Sequence, residues 1–160
     1  MKDLMTNISR HKIRLTKEFS FEMAHVLTGY DGACSEIHGH SYRLFVTVSG
    51  YPNDDPADPK YGMVMDFRTL KKIVGGNIVD VYDHSLLIRN AKENEALINT
   101  LREQFGKIMV TAWQPTCENL VIHFAELLKG LLPQGVALHS LKLHETATSY
   151  AEWYASDNAG

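Results

Sequence analysis

Residues 13–25, IRLTKEFSFEMAH, constrain the fold more than any other stretch of this chain. Ile13, Leu15, Phe19, Phe21 and Met23 take odd positions, with Thr16, Glu18, Ser20 and Glu22 between them. Successive side chains of a strand point to opposite faces, so a period of two predicts a half-buried strand. His25 continues the apolar side. A second such segment, SYRLFVTVS at 41–49, puts Leu44, Val46 and Val48 on one face and Arg43, Phe45 and Thr47 on the other. Between them, VLTGYDGACSEI (26–37) carries two glycines and an aspartate and reads as a loop.

Helical signals follow. The stretch GYPNDDPADPKYG is turn chemistry, with three prolines. Asp66 reads as an N-cap before Phe67, Leu70, Ile73 and Val74, and Gly75-Gly76 is expected to stop that helix. Residues 77–88 fit neither period. Leu97, Leu101 and Phe105 predict a helix over 93–105, closed by Gly106, and KIMVTAW reads as extended. Pro115-Thr116 opens a stronger helix whose stripe is Leu120, Phe124, Leu127, Leu128 and Leu131. Two strands, VALHSLKLHE (136–145) and AEWYAS, end the pattern. Strands, then helices, then strands predict an α+β domain with an antiparallel sheet.

The 160 residues read as one domain, 1–160, with 1–12 as an N-terminal tail. A formal charge of −3 without a basic cluster argues against a nucleic-acid partner. No apolar run approaches a membrane span, and MKDLMTNISRHK lacks the apolar centre of a secretory signal. The two cysteines, Cys34 and Cys117, suit a reducing cytoplasm better than a disulfide framework.

The histidines carry the chemistry. His38 and His40 stand two apart at the entry to a strand, so their side chains share a face, with Cα atoms about 6.5–7 Å apart. His25 closes the preceding strand. Three imidazoles with one open position are the usual ligand count of catalytic zinc. The competing reading is a set of hydrogen-bonded core histidines. Cys34 is either a fourth ligand that closes the site or a reactive thiol beside it. Asp83 and His84 are adjacent, and adjacent side chains normally diverge. Glu145 shares a strand face with Leu141 and Leu143, where a carboxylate needs a partner. A ligand edge with two parallel N–H groups would suit it. Thr116 and Glu118 read equally as an N-cap with a first-turn acid and as binding residues.

Six pieces in order, FSFEMAH (19–25), CSEIHGH (34–40), GMVMDF (62–67), YDHSLL (82–87), PTCEN (115–119) and HET (144–146), resemble the 6-pyruvoyl-tetrahydropterin synthase family. The gap between Cys34 and His38, and MDF at 65–67, resemble its bacterial 6-carboxytetrahydropterin branch. The departure is residues 91–114, longer than the usual bacterial connection, and read as an added helix and short extended segment.

The resemblance implies the tunnelling fold: an antiparallel sheet with helices on one face, joined in a trimeric barrel, two trimers forming a homohexamer. It implies zinc on His25, His38 and His40, with Cys34 as base and Asp83 and His84 as its proton relay. Glu145 would anchor the pterin, with Thr116 and Glu118 nearby, and sites would lie between subunits. The implied substrate is 7,8-dihydroneopterin triphosphate. The implied outcome is 6-carboxy-5,6,7,8-tetrahydropterin, with loss of triphosphate and acetaldehyde, on the queuosine route. Triphosphate loss alone, as in the pyruvoyl-forming branch, and a zinc-stabilised pterin-binding module without turnover are the alternatives.

Overall fold

The structure is a computed structural model and describes residues 11–159. Most of the expected tail, residues 1–12, therefore lies outside the described residues. Strands β1 (Ile13–Val26) and β2 (His38–Gly50) pair antiparallel along their whole length. The register sets Phe21 opposite Tyr42, Met23 opposite His40 and His25 opposite His38. Helix α1 (Phe67–Val74) follows, capped by the Asp66 side chain, which accepts from the Arg68 N–H at 2.7 Å. A wide turn (Gly75–Val79) leads into α2 (Asp80–Tyr82), then β3 (Ser85–Arg89), α3 (Glu95–Gln104) and β4 (Ile108–Thr111). Helix α4 (Cys117–Lys129) and strands β5 (Ala137–His144) and β6 (Tyr150–Tyr154) complete the chain.

The six strands form one sheet in the order β4-β3-β1-β2-β5-β6. Alternation decides its inner face. Phe19, Phe21, Met23, Tyr42, Leu44, Val46, Leu141 and Leu143 are buried there against α1 and α4, which contribute Leu70, Val74, Leu120, Phe124 and Leu128. One bulge keeps β5 in phase. Val48 pairs with Leu138 but Thr47 pairs with Ser140, leaving His139 as the extra residue. Leu138 thus shares the inner face with Leu141 and Leu143 despite the odd spacing.

The α+β architecture is as expected, with four corrections. The antiparallel part is β1, β2, β5 and β6; β3 and β4 add in parallel, making the sheet mixed. The helices do not all lie on one face. Val26, Ile88 and Ile98 form a second apolar cluster, joined by Leu86, Leu101, Ile108 and Val110. Its strand members are those whose alternation points away from the main core, so α3 covers the opposite face. Gly75-Gly76 does not end the helical run, which continues to Tyr82. Each glycine costs a helix about 1 kcal/mol, but burial of Ile78 and Tyr82 beyond them outweighs that cost. The expected stripe of α4 also ends early, since Leu131 lies past the helix and is exposed.

Candidate functional site

His25, His38 and His40 converge. Their ligating nitrogens lie within 4.8 Å of one another. The register explains this: His25 faces His38 across the β1–β2 ladder, and His40 sits two residues further on the same face. His25 is buried at 1% exposure, while His38 and His40 are partly covered.

Hydrogen bonding decides the tautomers. His25 Nδ1 lies 2.7 Å from the carbonyl oxygen of Pro115, and His38 Nδ1 lies 2.8 Å from that of Glu36. A carbonyl only accepts, so both Nδ1 atoms carry hydrogen and both Nε2 atoms present lone pairs when the rings are neutral. Those two Nε2 atoms face each other at 3.0 Å. His40 Nε2 is buried and has no hydrogen-bond partner among the described residues. Burial pushes the His25 and His40 imidazoles below their usual range and favours the neutral forms. Three inward-facing nitrogens of this kind, with two rings fixed through Nδ1–H to backbone carbonyls, suit a divalent metal.

Glu145 follows the end of β5, in a turn where its N–H donates to the Ser149 carbonyl at 3.1 Å. Its Oε1 accepts from the Tyr42 hydroxyl at 3.3 Å and lies 3.6 Å from His25 Nε2 and 3.9 Å from His40 Nε2. With neutral imidazoles these last two contacts are not salt bridges. Tyr42 is fully buried, stacks on Phe21 with ring centroids 5.4 Å apart, and continues the alternation His38, His40, Tyr42. Burial and the Glu145 charge push its hydroxyl far above its usual range, so it stays a donor. Tyr42 was not singled out from the sequence; its place two positions after His40 was the available signal.

Cys34, on a short turn (Ala33–Ser35), borders the same cavity of about 390 Å³ as His25, Thr116, Glu118 and Glu145. Its sulfur is not among the donors that converge within 4.8 Å. Thr116 is the N-cap of α4 and accepts from the Asn119 N–H at 3.3 Å, while Glu118 occupies the first turn. Their capping positions and their place on the cavity wall therefore coexist.

Asp83 and His84 lie elsewhere. His84 borders a larger, mainly apolar cavity of about 680 Å³ with Glu22, Ser41 and, from α3 onwards, Leu101, Phe105 and Lys107. His40 reaches that lining, but Cys34 does not. Within one chain His84 and the thiol thus border different cavities. His84 Nδ1 contacts Asp83 Oδ2 at 2.9 Å, and the Glu22 N–H donates to Asp83 Oδ1 at 2.8 Å. That backbone bond, then His84 and Lys107, holds the Asp83 carboxyl below the usual carboxylate range.

Known proteins share this chain's sequence pattern and fold. The profile of the 6-pyruvoyl tetrahydropterin synthase family matches residues 14–156. A 6-carboxy-5,6,7,8-tetrahydropterin synthase from Haemophilus influenzae is 37% identical over 141 residues, spanning 88% of this chain and 97% of that protein. Among solved structures, an uncharacterized protein from Wolinella succinogenes superposes with a TM-score of 0.76 at 20% identity, covering 91% of this chain and 99% of the other. The 6-pyruvoyl tetrahydropterin synthase of Caenorhabditis elegans superposes with a TM-score of 0.64 at 24% identity, covering 91% and 96%. These two likenesses show the shared fold.

Proposed function

The chain belongs to the 6-pyruvoyl tetrahydropterin synthase family, and from that premise we propose that it is a zinc-dependent 6-carboxy-5,6,7,8-tetrahydropterin synthase. The substrate in this reading is 7,8-dihydroneopterin triphosphate, converted with loss of triphosphate and acetaldehyde on the queuosine route. The observation that carries it is the convergent trio His25, His38 and His40, with the tautomers of His25 and His38 fixed, beside a cavity that His25 lines together with Cys34 and Glu145. The name borne by the Haemophilus influenzae relative supports the carboxy-forming outcome.

The three histidines would hold zinc, which when bound supplies Lewis acidity toward the substrate's oxygen-bearing side chain. Every other role falls to the chain's own groups. Glu145 accepts two parallel N–H bonds from the pterin edge, which fixes the ring by the geometry that pairs carboxylates with guanidinium. Thr116 and Glu118 line the same wall. Cys34 removes the proton from the side-chain carbon, the thiolate being the basic form of that side chain. Asp83 orients His84 through Nδ1, leaving Nε2 free to exchange protons. Because His84 and Cys34 border different cavities of one chain, His84 serves the Cys34 of a neighbouring subunit, in the homohexamer that the family resemblance implies. Internal proton movement reduces the ring, so no redox cofactor is required. Among the described residues no helix is long and apolar enough to cross a membrane, which fits the cytoplasmic location assigned in this reading.

Product analysis tests the reading. Incubation with 7,8-dihydroneopterin triphosphate is expected to release acetaldehyde and triphosphate in equal amounts. Triphosphate without acetaldehyde would reassign the protein to the pyruvoyl-forming reaction, and release of neither would leave a pterin-binding module. Against the module stands Cys34, whose sulfur lies outside the convergent trio instead of closing it.

A further inference from the structure

The metal trio is not the whole of the acceptor cluster. Glu145 Oε1 stands 3.6 Å from His25 Nε2 and 3.9 Å from His40 Nε2. Donor atoms around a tetrahedral zinc with bonds of about 2.0–2.1 Å are separated by about 3.3 Å, so this oxygen is near ligand-to-ligand spacing from two of the three nitrogens. His25 Nε2 offers it no proton. His25 Nδ1–H is committed to Pro115, and His40 Nε2 is buried without a partner among the described residues. Among the described residues the one side-chain donor to Oε1 is the Tyr42 hydroxyl at 3.3 Å. A carboxylate oxygen facing the His25 Nε2 lone pair at this range is repelled unless a cation lies between them.

The geometry points to Glu145 as the fourth donor to the metal in the pterin-free protein, released when a pterin takes the carboxylate. This rests on the zinc and pterin reading above and adds a gate to it. Glu145 lies outside the set of mutually convergent donors, on the His25 and His40 side. Its side chain is 24% exposed and follows the end of β5, so rotation about its own bonds brings Oε1 in without moving the sheet. Cys34 is the competing fourth donor; like Glu145 Oε1 its sulfur lies outside the convergent set, and Oε1 is set apart by its approaches of 3.6 and 3.9 Å to two of the nitrogens. The carboxylate cannot both face the metal and accept two parallel N–H bonds from a pterin edge. Pterin binding therefore vacates one coordination position only when substrate is present, which keeps the metal closed otherwise.

Cobalt substitution of the full-length protein tests this without turnover. The visible spectrum of the pterin-free cobalt protein is expected to shift in Glu145→Gln, with cobalt affinity falling about tenfold or more. Cys34→Ala is expected to leave that spectrum unchanged. Addition of a 7,8-dihydropterin lacking the triphosphate should move the wild-type spectrum toward that of Glu145→Gln. Identical pterin-free spectra for wild type and Glu145→Gln overturn the proposal, as does a near-ultraviolet thiolate band that disappears in Cys34→Ala. Cadmium NMR of the unmutated protein gives a second measure independent of variant folding: a shift in the nitrogen-oxygen range supports Glu145, and one in the sulfur range refutes it. Pterin binding is followed separately by pterin fluorescence. If the pterin does not bind wild type, the functional reading fails, while the pterin-free comparison still decides the ligand.

Discussion

Asp83 and His84, adjacent in sequence, hold each other at 2.9 Å because His84 adopts a left-handed backbone, φ +58°. A non-glycine residue there is strained, by roughly 1–3 kcal/mol, and the surrounding bonds secure it. The His84 N–H donates to Glu22 O at 2.6 Å, and Lys107 Nζ donates to the Asp83 and Asp80 carbonyls at 2.5 and 3.0 Å. In Asp83→Asn the one remaining oxygen stays with the Glu22 N–H and an NH2 donor faces His84 Nδ1–H, so turnover is expected to fall about 10²–10⁴-fold. The linkage has a definite sign. The folded carboxyl is depressed, so its stabilisation is present above the unfolded value of about 3.9 and is lost as pH falls through the lower folded value. Thermal midpoints of wild type and Asp83→Asn should differ steadily from neutrality to about pH 4 and converge below it. A gap that closes instead between pH 5 and 7 would show that another group is responsible.

Metal removal should cost stability. Chelation leaves the two Nε2 lone pairs of His25 and His38 facing each other at 3.0 Å, relieved only by a shared proton. Zinc at a hundredfold excess over its dissociation constant should restore about 2.7 kcal/mol, read as a rise in the unfolding midpoint. His38→Ala should abolish that response. If chelator and zinc leave the midpoint unchanged, the trio does not bind the ion.

The two thiols should part company. Cys117 is buried, donates to the Leu143 carbonyl at 3.3 Å, and is pushed up to about 12 by burial and the Glu145 charge. Cys34 borders the cavity and is partly exposed. Alkylation at pH 8 should therefore mark Cys34 alone in the mass spectrum and stop turnover. Cys34→Ala should keep its zinc, measured by elemental analysis, while turnover collapses about 10²-fold or more. Zinc lost together with the thiol would remove Cys34 from the role of base.

Tyr42→Phe isolates one hydroxyl. The ring keeps its stack on Phe21, so the fold should survive, but Glu145 loses its donor at 3.3 Å. A net hydrogen bond of about 1 kcal/mol corresponds to about a fivefold change, expected in the KM for the pterin with zinc content unaltered. An unchanged KM would mean that Glu145 is oriented without Tyr42.

Much of this architecture was legible locally. The alternation of β1 and β2 was enough to put His25, His38 and His40 on the core-facing side, since the period of a strand is a property of the backbone alone. Asp66 and Thr116 marked their helix starts because an N-cap needs only its own next turn. Residues 77–88 stayed ambiguous because helix to Tyr82 and strand from Ser85 both rest on burial against distant segments, which outweighs the local glycines. The Asp83–His84 contact was unreadable for a different reason: it depends on one backbone angle held by Glu22 and Lys107, far away in the chain.

The amino-acid order by itself determined which side chains share a face, and hence that three imidazoles lie along one side of two strands. Only the tertiary structure decided that His25 meets His38, that Pro115 and Glu36 fix their tautomers, and that Glu145 approaches the same point from β5. It likewise decided that β3 and β4 join in parallel and that α3 crosses to the opposite face. The division is physical: periodicity follows from covalent geometry within a few residues, whereas apposition of distant segments follows from which surfaces bury each other best.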